Sequence, residues 1–275
     1  MMFRSIHHRL AFNRAIFRSF STTSAPTTFA HPLDNLRTCT DVTSISNLVL
    51  STNPELFESR DCANVFYHLI RLQRTKKIVD FPIEPVQKVV SIALKLKHHP
   101  KTASFLFRNI MHRDFETVEP RISQVAEHVV PLIDFQTLTP AEILSLLKTF
   151  SVNNRASLLV FKTHLVNQLK LRNLDDFSHS DLQKLAWSLV NSDIFDRDIF
   201  SKISFRLCLC KWNLFTPEEI SLLACSFATA DLVNDEVFDM ILQELSIRKL
   251  DQFPLKERLI LDLSLKMAGK QRILL

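Results

Sequence analysis

The chain has 275 residues, 46% of them hydrophobic, with a formal net charge of +5 at pH 7, which is enough apolar material to core one or two domains. Its single glycine, Gly269, leaves little capacity for positive-φ turns, which disfavours sandwiches and barrels and excludes glycine loops that cradle phosphates or dinucleotides. No run approaches the roughly eighteen consecutive apolar residues of a membrane span.

The first acidic residue is Asp34, and Arg4, Arg9, Arg14 and Arg18 precede it among Phe, Leu, Ile, Ser and Thr. That composition predicts a mitochondrial transit peptide over residues 1–20, cut between Phe20 and Ser21, and a place in the mitochondrial matrix. Cleavage there leaves 30 basic against 29 acidic residues, so the pI of 9.0 is largely an address and says nothing of nucleic acid. Residues 21–55 read as a linker and N-terminal cap.

From residue 56 onward a unit recurs. In the copy starting at Phe215, Thr216 is the helix N-cap, Pro217 takes the first helical position, Glu219 closes a capping box, and Phe215 staples onto Ile220. Phe177, Ser178, Asp181 and Leu182 repeat this layout, as do Leu138, Thr139, Glu142 and Ile143; Pro100 with Ala103 and Phe57 with Cys62 open weaker copies. Anchored at Cys62, Ala103, Ile143, Leu182 and Ile220, the copies lie 41, 40, 39 and 38 residues apart. Apolar residues follow at three, four and seven past each anchor, which is one helical face. Second helices are expected over Ile83–Leu96, Val118–Val130, Ser157–Leu171, Asp196–Leu209 and Asp235–Ile247, with Phe161, Phe200 and Phe238 at one shared place. The fold expected is all-α, a right-handed α-solenoid of about five helix-turn-helix repeats spanning 56–252, closed by a degraded capping half-repeat at 253–275.

Charge is uneven along the repeats. From Arg60 to Arg113 there are eleven Lys/Arg against three Asp/Glu; from Phe215 to Asp251 there are two against eight, so an acidic partner would meet the first two repeats. The five cysteines form no paired framework, and Cys208 and Cys210, two apart on a helix, point to opposite faces with no ligand pair nearby for a metal. His98-His99 reads as a solvated turn. The carboxylates sit at helix starts, where capping explains them, and no catalytic constellation, metal or cofactor site emerges.

On each first helix the stripe two, five and nine residues past the anchor is left over from packing. Its fifth column reads Tyr67, Arg108, Lys148, Trp187, Cys225, mostly rings and cations, and the flanking sixth reads His68, Asn109, Thr149, Ser188, Ser226. Rings stack on bases, cations meet phosphates, and hydrogen-bonding groups read base edges. Asn64, Arg71, His112, Lys184 and Asn191 share this stripe, and the run from Arg71 through Arg74 to Lys76 and Lys77 adds a basic patch at a helix C-terminus.

The segment Phe177 to Leu189, Phe-Ser-x-x-Asp-Leu-x-x-Leu-Ala-Trp-Ser-Leu, with its variant at Phe215 to Phe227, resembles the helical repeats of FAST kinase-like, RAP-domain and octotricopeptide proteins. The resemblance covers about Phe57 to Phe253 and implies an organellar α-solenoid that binds single-stranded or ribosomal RNA in processing, stability, translation or ribosome assembly. No strand-like segment suited to a RAP domain follows, so nuclease-like activity is not implied. The expectation is a non-enzymatic RNA-binding protein without a small-molecule substrate. The alternative is a non-enzymatic scaffold subunit of a mitochondrial ribosome or respiratory complex, docking mitoribosomal or other mitochondrial proteins.

Overall fold

A computed structural model describes residues 31–76, 81–111, 115–152, 158–231, 235–248 and 252–270. The expected transit peptide, with its cleavage site at Phe20 and Ser21, lies outside them. Of two units, Met1–His31 and Pro32–Leu275, the second holds every element below.

All regular structure among the described residues is helical. In chain order the helices are α1 (Val42–Ser51), α2 (Ser59–Lys76), α3 (Ile83–Ala93), α4 (Pro100–Ile110), α5 (Phe115–Val118), α6 (Ile122–Val129), α7 (Pro140–Val152), α8 (Leu158–Leu171), α9 (His179–Asn191), α10 (Arg197–Cys208), α11 (Pro217–Thr229), α12 (Asp235–Ile247) and α13 (Leu255–Met267). Short 3₁₀ turns at Pro32–Arg37, Pro54–Leu56, Val130–Leu132 and Trp212–Leu214 join them.

The local start signals act as the spacing requires. Thr216 Oγ1 accepts from the Glu219 amide at 3.2 Å while Glu219 accepts from the Thr216 amide at 2.9 Å. Ser178 with Asp181 and Thr139 with Glu142 close the same reciprocal box. Each satisfies helix-end N–H groups that have no partner inside the helix. The staple residues Phe215, Phe177 and Leu138 and their partners Ile220, Leu182 and Ile143 are all buried.

The first helices pack in sequence, α2 on α4, α4 on α7, α7 on α9, α9 on α11 and α11 on α13. The second helices do likewise: α1 on α3, α3 on α6, the Val130–Leu132 turn on α8, α8 on α10 and α10 on α12. Phe161, Phe200 and Phe238 are fully buried between the two rows, with Phe107 stacked on Phe161 at 4.4 Å and Phe200 edge-on to Phe227 at 5.3 Å.

A polar device recurs along the second row. Lys88 Nζ donates to the carbonyls of Leu50 (2.9 Å) and Thr52 (2.7 Å) at the end of α1. His128 Nε2 reaches Leu96 O beyond α3 at a longer 3.5 Å, His164 Nε2 donates to Ile133 O at 2.9 Å, and Lys202 Nζ donates to the carbonyls of Lys170 and Arg172 at the end of α8. The second helices α3, α6, α8 and α10 thus each supply a donor to the carbonyls that the preceding segment leaves open. In α12 the corresponding place holds Met240, and the end of α10 is closed instead by the Trp212 indole N–H on Leu207 O at 3.2 Å.

In two repeats an arginine, Arg172 buried and Arg248 half-buried, ties the repeat's end to its own beginning. Arg172 donates to the carbonyls of Phe135 and Gln136 and pairs with Asp176 at 2.6 Å; Arg248 donates to the carbonyls of Phe215 and Trp212 and pairs with Glu244. The two stand two repeats apart, and Cys210 takes the place between them.

Several expectations need correction. The helix expected over Val118–Val130 breaks after Val118. Pro120 disfavours helical geometry at Glu119, whose buried carboxylate folds back onto the Arg121 amide and guanidinium. The helix starting at Ile83 ends at Ala93, short of Leu96. His98 is not solvated: it is buried, with Nδ1 bonded to Ser59 Oγ at 2.6 Å and Nε2 donating to Ala93 O at 2.8 Å, while His99 is exposed. The segment after Phe253, expected to be degraded, carries the well-formed α13.

Candidate nucleic-acid interface

The candidate side chains sit on α2, α4, α7 and α9, which pack consecutively. On α2, Asn64 and Tyr67 are half-buried while Arg71 and Arg74 are exposed. Arg108 on α4 is half-buried and Lys148 on α7 is exposed; Lys184, Trp187 and Asn191 on α9 are all half-buried. Lys76 closes α2 with its side chain outside the described set, and Lys77 and His112 lie outside the described residues.

The fifth column runs along the seam between successive first helices rather than away from it. The Tyr67 ring on α2 meets the Phe105 ring on α4 with centroids 6.1 Å apart. Arg108 lies over that same Phe105 ring at 5.1 Å and donates from Nη1 to Ser145 Oγ on α7 at 3.4 Å. Tyr67, Phe105 and Arg108 therefore form a ring, ring and cation series across two helices, with edges left half open. Burial lowers the Arg108 pKa, while Glu142 and Tyr67 act to raise it; a guanidinium starts so high that it stays charged. Phe105 was not singled out from sequence, and Glu142 was read there only as a capping residue. Phe105 occupies the second position of the stripe, so its ring was visible there as a signal.

Four of the five sixth-column residues do not present base-reading groups, and Ser188 is half-buried. His68 and Asn109 are each only 6% exposed, so they are withdrawn from the interface. Asn109 Nδ2 donates to Phe105 O at 2.7 Å, and Thr149 and Ser226 bond back to Ser145 O and Leu222 O one turn earlier. Side chains of this kind satisfy themselves on their own helix, which spacing alone does not distinguish from availability. Burial, with Arg71 and then Arg37 nearby, lowers the His68 pKa to about 4, so the ring is neutral at pH 7. Arg37 reaches this neighbourhood because the Pro32–Arg37 turn packs on α2.

Elsewhere the described residues offer little reactive chemistry. Cys62 is pushed up to about 12 by burial and the Asp61 charge, and burial also raises Cys39, Cys208, Cys210 and Cys225, which keeps these thiols protonated. Among the described residues no group of three His, Cys, Asp or Glu gathers to hold a metal ion, and no helix is long and apolar enough to cross a membrane. Comparisons with protein-family models, with curated proteins and with solved structures find no match, so the likeness to organellar helical-repeat proteins rests on the residues that carry it.

Proposed function

We propose that the chain is a mitochondrial α-solenoid that binds single-stranded RNA along its row of first helices. The two ordered rows of helices, each packing on the next, are what supports a repeat array of the kind expected from the 38–41-residue spacing. The observation that carries the RNA reading is the placement of Tyr67, Phe105, Arg108, Lys148, Lys184 and Trp187, together with Arg71 and Arg74, on consecutively packed helices and at least partly open to solvent. Rings at such sites stack on bases at about 1–3 kcal/mol each, and the cations meet phosphates without regard to sequence. A matrix address, carried by the arginine-rich first 20 residues, completes the proposal.

Electrophoretic mobility of labelled single-stranded RNA across a salt series tests it. Four phosphate contacts give a log–log salt slope of about −3, and Arg71→Glu with Arg74→Glu and Lys148→Glu should flatten it by about two units. Binding that ignores both salt and this triple reversal refutes the proposal.

One observation favours a protein partner as the second reading. Leu132, Leu171, Leu209 and Ile247 recur at 39, 38 and 38 residues, each at or just past the end of a second helix, and all are exposed. A protein-docking role requires co-sedimentation with a larger assembly that survives ribonuclease.

A further inference from the structure

The outer face of α13 is built like the faces that earlier first helices bury against their successors. One residue past four of the five anchors stand Ala63, Ser104, Gln183 and Ser221, exposed by only 0%, 8%, 4% and 0%, and past the fifth stands the half-buried Leu144. Ser221 shows what covers the column: its Oγ donates at 3.1 Å to Glu257 O on the following first helix, α13. The fifth column crosses the same seam, through Tyr67 on Phe105 and Arg108 on Ser145. On α13, the anchor position falls at Arg258, and the same two columns hold Leu259 and Leu263, which are 50% and 44% exposed. Leu255 and Met267 extend them to a stripe at intervals of four residues, diametrically opposite Leu261 and Leu265, which are fully buried. A repeat that serves as a cap has a polar outer face, and that of α13 is apolar.

The charge around the stripe narrows the occupant. Lys256 is exposed, and Lys266, 56% exposed, flanks the stripe even while its Nζ pairs with Asp262 at 2.6 Å. Neither acid of α13 is on the open face, since Asp262 is buried and Glu257 is half-buried with Oε2 enclosed. Two copies joined through this face would set lysines against lysines with no acid between them.

We propose that α13 docks an acidic amphipathic helix of a partner protein, which lies across Leu255, Leu259, Leu263 and Met267 as the next first helix would and sets its carboxylates against Lys256 and Lys266. The inference rests on helix packing and does not require RNA binding.

The test uses the full chain and a fluorescent 16-residue helical peptide with a leucine stripe flanked by glutamates, read by anisotropy. Saturable binding should weaken at least tenfold in Lys256→Glu/Lys266→Glu, which should instead bind the lysine-flanked version of the peptide. Leu259→Glu should abolish binding while circular dichroism and melting temperature hold, because that side chain is half open in the free protein. Binding indifferent to all of these substitutions overturns the proposal. So does concentration-dependent dimerisation relieved by Leu259→Glu, which assigns the face to a second copy, or capture of vesicles containing anionic phosphatidylglycerol without peptide binding, which assigns it to a lipid surface. RNA affinity measured on the same variants should stay unchanged, which separates this outcome from that of the RNA site proposed on α2, α4, α7 and α9.

Discussion

Replacing Lys88 with Met removes the ammonium that closes α1 while keeping most of the aliphatic stem. Two bonds are lost, to Leu50 O at 2.9 Å and Thr52 O at 2.7 Å. A charge-assisted hydrogen bond is worth about 1.5–3 kcal/mol when its loss strands a buried partner. Leu50 is exposed, so water takes over at its carbonyl, whereas Thr52 is 6% exposed and its carbonyl is less easily rehydrated. The net cost is therefore about one such bond, roughly 2 kcal/mol. For a chain of this size that corresponds to a fall in Tm of roughly 4–8 °C. Urea unfolding gives the global figure, and hydrogen exchange gives the local one: the Thr52 amide, bonded to Leu48 O at 3.2 Å, should lose protection before amides in α9 or α11 do. Lys95→Met, at an exposed site with no such carbonyls in reach, serves as the control. A Lys88→Met loss below about 0.5 kcal/mol, or one matched by Lys95→Met, refutes the reasoning.

Acid sensitivity should reside partly in His68. Its folded pKa near 4 lies below the ordinary 6.5, so the unfolded chain takes up the proton first, and the stability present above pH 6.5 is lost as pH falls toward 4. The contribution is at most about 3 kcal/mol, and a His68→Gln variant compared with the parent by urea melts at pH 7 and pH 4.5 should show a smaller loss on acidification. Phe200→Ala removes a fully buried ring that is edge-on to Phe227 and should cost about 3–5 kcal/mol by urea unfolding; a cost under 1 kcal/mol would mean the two rows are not tightly packed there. Thr216→Ala should cost about 1 kcal/mol in the same assay, and Thr216→Ser should restore most of it, because the hydroxyl rather than the methyl accepts from Glu219 N–H.

What could be read from the sequence was local. Phe215, Thr216, Pro217 and Glu219 announce a helix start within five residues, and the structure closes that box and two others like it. The repeated Phe161, Phe200 and Phe238 likewise declared themselves by position and are all buried. What stayed hidden depended on neighbours distant in sequence. His68 and Asn109 shared a helical flank with Arg71 and Lys148, yet only the packing of one first helix on the next decides which members of that flank meet water. Lys88, His128, His164 and Lys202 recur at 40, 36 and 38 residues and resemble solvated charges until the carbonyls they close are seen. The break at Glu119 has a local signal in Pro120, which a reading from apolar periodicity does not use.

The donor series along the second helices also gives the array a direction of weakness. An ammonium stripped of its carbonyl at the leading edge is readily hydrated, whereas carbonyls stripped of their donor at the trailing edge lose the charge that fixed them. Peeling should therefore proceed more easily from the side of α12, where Met240 offers α10 no donor and the Trp212 indole just past α10 closes its end instead, than from α1, which is pinned by Lys88. Trimming helices from one end would not be equivalent to trimming the same number from the other.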